Sequence, residues 1–220
     1  MSNHSSTSLP ASSPALAHQF EDLTQQREVA SLGMWLFLVT EVLFFGGLFL
    51  VYSVYRGWYP AAFAASSHEL IVWAGTLNTV VLITSSLTMA LAVRAARTGE
   101  RTRLIWMLLA TIVLGVVFIG IKGLEYGLEY KEGLVPGLNF TWDGPDPGHA
   151  ELLFRFYFLM TGLHAIHLTI GIVVVSFLVG LARRGHFAPG EDTPVDLVGL
   201  YWHFVDIVWV FLLPALYLIH

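Results

Sequence analysis

Apolar residues fall in five long runs, separated by short stretches in which charge, glycine and proline collect. The runs extend from Ser31 to about Tyr55, Leu70 to Val93, Leu104 to Ile121, Leu152 to Leu181 and Val198 to Ile219. A bilayer core about 30 Å thick takes roughly 20 helical residues per crossing, so each run is near or above the length of one transmembrane helix. The fourth is long enough to tilt. The predicted fold is therefore all-α, a polytopic membrane protein with a bundle of five transmembrane helices in residues 29–220. Residues 1–28 are rich in Ser, Ala and Pro, lack the apolar stretch of a signal peptide and read as a disordered tail.

The connectors carry the topology. The first run ends at Arg56, Gly57, Trp58, Tyr59 and Pro60, where aromatic residues beside a proline mark a lipid–water boundary. The second connector holds Arg94, Arg97, Arg101 and Arg103, the third a turn-rich surface loop from Asp143 to Gly148, and the last Arg183 and Arg184. With the N-terminus cytoplasmic, these arginines and Arg27 place seven basic residues on one side, against Arg56, Lys122, Lys131 and Arg155 on the other. That asymmetry predicts the N-terminus inside and the C-terminus outside. No internal repeat of the kind that builds two-fold transporters is present in the sequence.

Composition narrows the chemistry. Of 220 residues, 55% are hydrophobic and 12% charged, more apolar matter than one soluble core encloses. A net charge of −5 with eleven scattered Lys and Arg argues against nucleic acid as a partner. The absence of cysteine excludes disulfides, thiolate metal centres, iron–sulfur clusters and covalently attached haem c in this chain.

Polar groups inside the runs are few, and each costs a few kcal/mol or more in lipid unless partnered. They are Glu41 in the first span, Asn78 in the second, His164 and His167 in the fourth, and His203 and Asp206 in the fifth. At about 1.5 Å per residue, Glu41 lies about 15 Å from Ser31 and Asp206 about 12 Å from Val198, so five of these groups share one layer. Residues three apart share a helix face, which pairs His164 with His167 and His203 with Asp206. A carboxylate and imidazoles meeting there would hydrogen-bond one another, either as glue between helices or as proton-handling groups. Bis-imidazole haem ligation, or a sulfur-free metal site from Glu41, His164, His167 and His203, is allowed by ligand type; crowding at one depth beside acids is unlike separated b-haem pairs. Gly123 and Gly127, like Gly46 and Gly47, have the small side chains that permit close helix approach, and Glu125 with Lys122 reads as a local ion pair.

The same segments carry a resemblance. They are Gly33–Phe45 (GMWLFLVTEVLFF), Leu77–Thr79, Ile121–Tyr126 (IKGLEY), Thr161–His167 (TGLHAIH) and Tyr201–Trp209 (YWHFVDIVW). In this order, over about Glu28 to Tyr217, they resemble subunit III of haem–copper cytochrome c oxidases in its five-helix bacterial form. The resemblance implies an accessory subunit with no catalytic centre or cofactor of its own, in the bacterial cytoplasmic membrane. It implies packing on oxidase subunit I, in a complex with subunit II and further subunits that hold haem and copper, and it implies bound phospholipid and support of sustained proton uptake. Glu41 matches the family's carbodiimide-reactive buried carboxyl; Glu41, His164, His167, His203 and Asp206 are then a lipid- or proton-related cluster, with Asn78 and Glu125 structural. Accessory subunits of quinol oxidases and some nitric oxide reductases share this pattern and stand as the alternative.

Overall fold

The computed structural model describes residues 23–68, 70–144, 146–187 and 192–218. Among them are six helices and no strands: α1 Leu23–Trp58, α2 Pro60–Ser67, α3 Val72–Arg97, α4 Arg101–Lys131, α5 Pro147–Arg183 and α6 Thr193–Tyr217. All but α2 are long and apolar enough to cross a membrane, which gives the five spans expected from the hydropathy pattern. Residues 1–22 of the expected tail lie outside the described residues, whereas Leu23–Glu28 are already helical. No glycine or proline interrupts Leu23–Leu32, so α1 can begin well before its lipid-facing run.

Two further elements differ from the hydropathy reading. Pro60 sits in the first turn of α2, where its missing N–H costs nothing, and the alanines that follow favour a helix too short to span. Helix α4 continues ten residues past Ile121, because the charges that read as its exit from lipid turn inward. Lys122, Glu125 and Glu129 are buried, while Gly123, Leu124, Gly127 and Leu128 between them are exposed. Polar-in, apolar-out is the pattern of a helix whose solvent is lipid.

Helices α3, α4, α5 and α6 form the packed body, and α1 lies along it, touching α2, α5 and α6. Trp202 of α6 is the centre of the body. A Cβ on Gly115 of α4 or Gly171 of α5 would lie 3.1 Å from its ring, so the indole fills the space that two glycines leave open. Its Nε1 donates to Ser85 Oγ of α3 at 3.1 Å, and one ring thereby joins four helices. At Gly199 a Cβ would come within 2.9 Å of Val93, which sets the approach of α6 to α3. The glycines expected to permit close packing, Gly46, Gly47, Gly123 and Gly127, have nothing within 4 Å of a built Cβ; they lie on the outside of the bundle.

Candidate functional site

The layer of polar groups expected from the sequence is present, but its members do not form one cluster. They separate into a pair on the α1–α5 seam, a line on the α3–α6 seam and a fully buried histidine, His164.

On the α1–α5 seam, Glu41 Oε2 lies 3.0 Å from His167 Nε2, with both side chains partly buried. His167 Nδ1 lies 2.8 Å from the Leu163 carbonyl of its own helix. A carbonyl only accepts, so Nδ1 carries a hydrogen, and the bond to Glu41 then needs one more proton on either Nε2 or the carboxyl. The pair thus shares one hydrogen bond across the α1–α5 seam. Tyr201 OH donates to the His167 carbonyl at 2.8 Å and the Phe45 ring stands edge-on to the imidazole at 5.1 Å, which orients the histidine from α6 and α1. Glu41→Gln is expected to leave complex yield in mild detergent unchanged, because the amide N–H donates to Nε2; Glu41→Leu leaves that nitrogen unpaired and is expected to cost about 1–3 kcal/mol. Equal yields and melting points for both variants would show that the bond has no structural weight.

On the α3–α6 seam, His203 Nδ1 bonds Ser86 Oγ at 2.7 Å, and Trp209 Nε1 donates to Thr79 Oγ1 at 3.0 Å. Asp206, one turn beyond His203, is buried; Ser86 is the polar side chain beside it, yet neither carboxyl oxygen has a partner in hydrogen-bond geometry. The expected carboxylate–imidazole bond between Asp206 and a histidine is therefore absent, because Ser86 engages the ring instead. Asp206→Leu accordingly removes no hydrogen bond, and its melting point is expected to equal or exceed the parent's; a fall would reveal a partner the fold gains only in a complex.

His164 is fully buried between Phe118 and Trp209, at centroid distances of 5.5 and 5.3 Å, and both ring nitrogens lack hydrogen bonds. Asn78 is likewise buried with its amide unpartnered. Among the described residues no three His, Asp or Glu side chains gather as a metal site. The imidazoles of His167 and His203 are each turned to a protein partner of their own.

At the other end of the bundle the local ion pair expected between Lys122 and Glu125 forms, and it is buried. Lys122 Nζ reaches Glu125 Oε2 at 3.1 Å and the hydroxyls of Tyr157 and Tyr217 at 2.9 Å each. Those hydroxyls donate on to Glu125 Oε1 at 2.8 and 2.6 Å. All three ammonium hydrogens are used, and the rings of Tyr126, Tyr157, Trp209 and Tyr217 lie 4.7–5.6 Å from the charge. The spacing of Lys122, Glu125 and Glu129 on one helix face was the signal that could have found it.

The sequence model of the family described as Cytochrome c oxidase subunit III matches residues 21–220. The chain belongs to the cytochrome c oxidase subunit III family. Two curated relatives are each described as a probable quinol oxidase subunit 3. The one from Staphylococcus epidermidis is 30% identical over 207 residues, 92% of this chain and 95% of that protein. The one from Staphylococcus aureus is 30% identical over 202 residues, 89% and 92% of the two chains. A subunit III works in a complex with other oxidase subunits, so the outer surface, with Trp35, Leu43, Leu50, Leu124 and Leu128 exposed, faces lipid or those subunits.

Proposed function

We propose that this chain is the accessory subunit of a proton-pumping cytochrome c oxidase in a bacterial cytoplasmic membrane, N-terminus inside, and itself holds no redox cofactor. It packs on subunit I, which carries the haem and copper that reduce oxygen. Here it retains lipid and helps sustain proton uptake by its neighbour. Family membership over 21–220 carries this reading. Its support from geometry is that the His167 and His203 imidazoles, ligand types for haem or metal, are engaged by Glu41 and Ser86, and that no sulfur ligand exists. The catalytic power lies in the partner; the bundle contributes surface, seams for acyl chains and the Glu41–His167 pair.

A second reading differs only in the electron donor. The relatives from both staphylococci bear quinol oxidase names, which favours a quinol in place of cytochrome c. The donor docks on other subunits, so this chain carries no residue that decides it.

The test is a mild-detergent pull-down through a C-terminal tag, with reduced-minus-oxidised spectra of the complex and of the stripped subunit. Haem that co-purifies and stays with the partners on stripping supports the assignment; haem that stays with this chain overturns it. Turnover of the same complex on reduced cytochrome c or on a quinol then separates the two donors.

A further inference from the structure

At the arginine-rich end of the bundle, α1, α3 and α6 part around a cavity of about 400 Å³. Arg27, Arg97 and Asp196 line its outer part, Ala90 and Val93 its α3 wall, and His203 also lines it, seven residues along α6 from Asp196 and so about 10 Å further in. Arg97 is held at this mouth by Asp196 at 2.8 Å and Asp192 at 3.4 Å. The cavity is open to the outside, and Arg27, Arg97, Asp196 and His203 supply polar groups among an apolar lining that includes Leu197 and Leu200, room and partners for water.

The polar line does not stop at the cavity wall. His203 turns Nδ1 to the Ser86 hydroxyl at 2.7 Å, and Ser86 stands beside Asp206, whose two oxygens are buried without a hydrogen-bond partner. Asp196, His203 and Asp206 occupy positions seven and three apart, one face of α6. An unpartnered carboxyl in a membrane bundle is costly to keep.

We propose that this cavity is an aqueous inlet through which Asp206 exchanges a proton with the arginine-rich side, by way of His203 and Ser86. A proton from cavity water binds the His203 nitrogen not engaged by Ser86. Nδ1 gives its own hydrogen to the Ser86 oxygen, and the hydroxyl passes its hydrogen to an Asp206 oxygen, after rotation or through one water. Only N–H and O–H bonds form and break, and the charge delivered equals the proton taken from the water. The line ends at Asp206, which makes the carboxyl a proton store. Of the other ionisable groups on the helices around α6, Glu41 pairs with His167, Lys122 with Glu125 and Arg97 with Asp192 and Asp196, while Glu129 is buried on α4 one turn beyond Glu125. His164 stands against the Trp209 ring, and Arg27 lies at the mouth. Use of the stored proton by an oxidase rests on the reading above; the exchange is a property of this chain and is measured separately.

The experiment is infrared difference spectroscopy of the purified complex during steps of pH and of H2O to D2O, following the carboxylic C=O band. A band that responds to bulk pH and is lost in Asp206→Asn is expected. Ser86→Ala and His203→Phe should keep the band but slow its deuterium shift, because each removes one hydrogen-bonded link of the line. Ala90→Leu, which narrows the cavity one helical turn from Ser86, should slow it likewise. Absence of a band that Asp206→Asn removes, or unchanged exchange in Ala90→Leu and Ser86→Ala, overturns the proposal. Co-purification of haem in every variant reports the oxidase assignment independently of the band.

Discussion

Replacement of Glu125 by Leu in an otherwise unchanged chain is expected to destabilise the bundle by about 3–5 kcal/mol, the cost of leaving one member of a buried ion pair alone. The geometry explains the size. Glu125 accepts from Lys122 and from the hydroxyls of both Tyr157 and Tyr217, so the change strands an ammonium and two phenols at once. Lys122→Met is expected to be nearly as harmful, because the carboxylate is then left with the two phenols alone. The double variant Lys122→Met with Glu125→Leu is expected to recover most of the loss, since apolar groups of similar volume replace the pair and the tyrosines can turn to each other, already 3.4 Å apart. Thermal melting of the four proteins in one detergent decides it. Additive losses in the double variant would mean that the two residues act independently and that the network has no energetic unity.

Trp202→Ala is expected to cost a comparable amount, about 3–5 kcal/mol, because the void it leaves cannot close. Gly115 and Gly171 face the indole with no side chains to move inward, and Ile172 is the flexible neighbour. Trp202→Phe keeps most of the ring volume and loses the bond to Ser85, so about 1 kcal/mol is expected from the hydrogen bond. A melting series of parent, Phe and Ala variants tests the division between packing and hydrogen bonding. Equal losses for Phe and Ala would assign the effect to the Ser85 bond and not to the cavity.

Both predictions concern residues whose importance was only partly visible beforehand. Lys122 and Glu125 were visible as a pair, but their position just past an apolar run made an exposed boundary the natural reading. The two tyrosines that complete the network lie 32 and 92 residues away from Glu125 in the chain. Trp202 belongs to the Tyr201–Trp209 stretch that carries the family resemblance, yet its role depends on glycines of two other helices. The shared depth of Glu41 and His167 makes contact between them expected, and the structure joins them. Asp206 was expected to meet an imidazole, and it does not, because Ser86 is closer to His203.

What the amino-acid sequence by itself determined is the number of spans, their approximate extent, and which polar groups lie within the apolar runs. These follow from transfer free energies summed along a local stretch of chain, and a run of about 20 apolar residues needs no knowledge of its neighbours to become a membrane helix. The motifs within those runs also sufficed to place the family. Tertiary structure alone decided which faces turn inward, and hence that Lys122 and Glu125 are buried while Gly123 and Gly127 look out. It also decided that Glu41 meets His167, that His203 meets Ser86, and that Asp206 meets no imidazole. Lipid is as apolar as the helix surface, so hydropathy cannot choose between neighbour and bilayer. That choice is made by shape and hydrogen bonds between helices, which exist only once the helices have met.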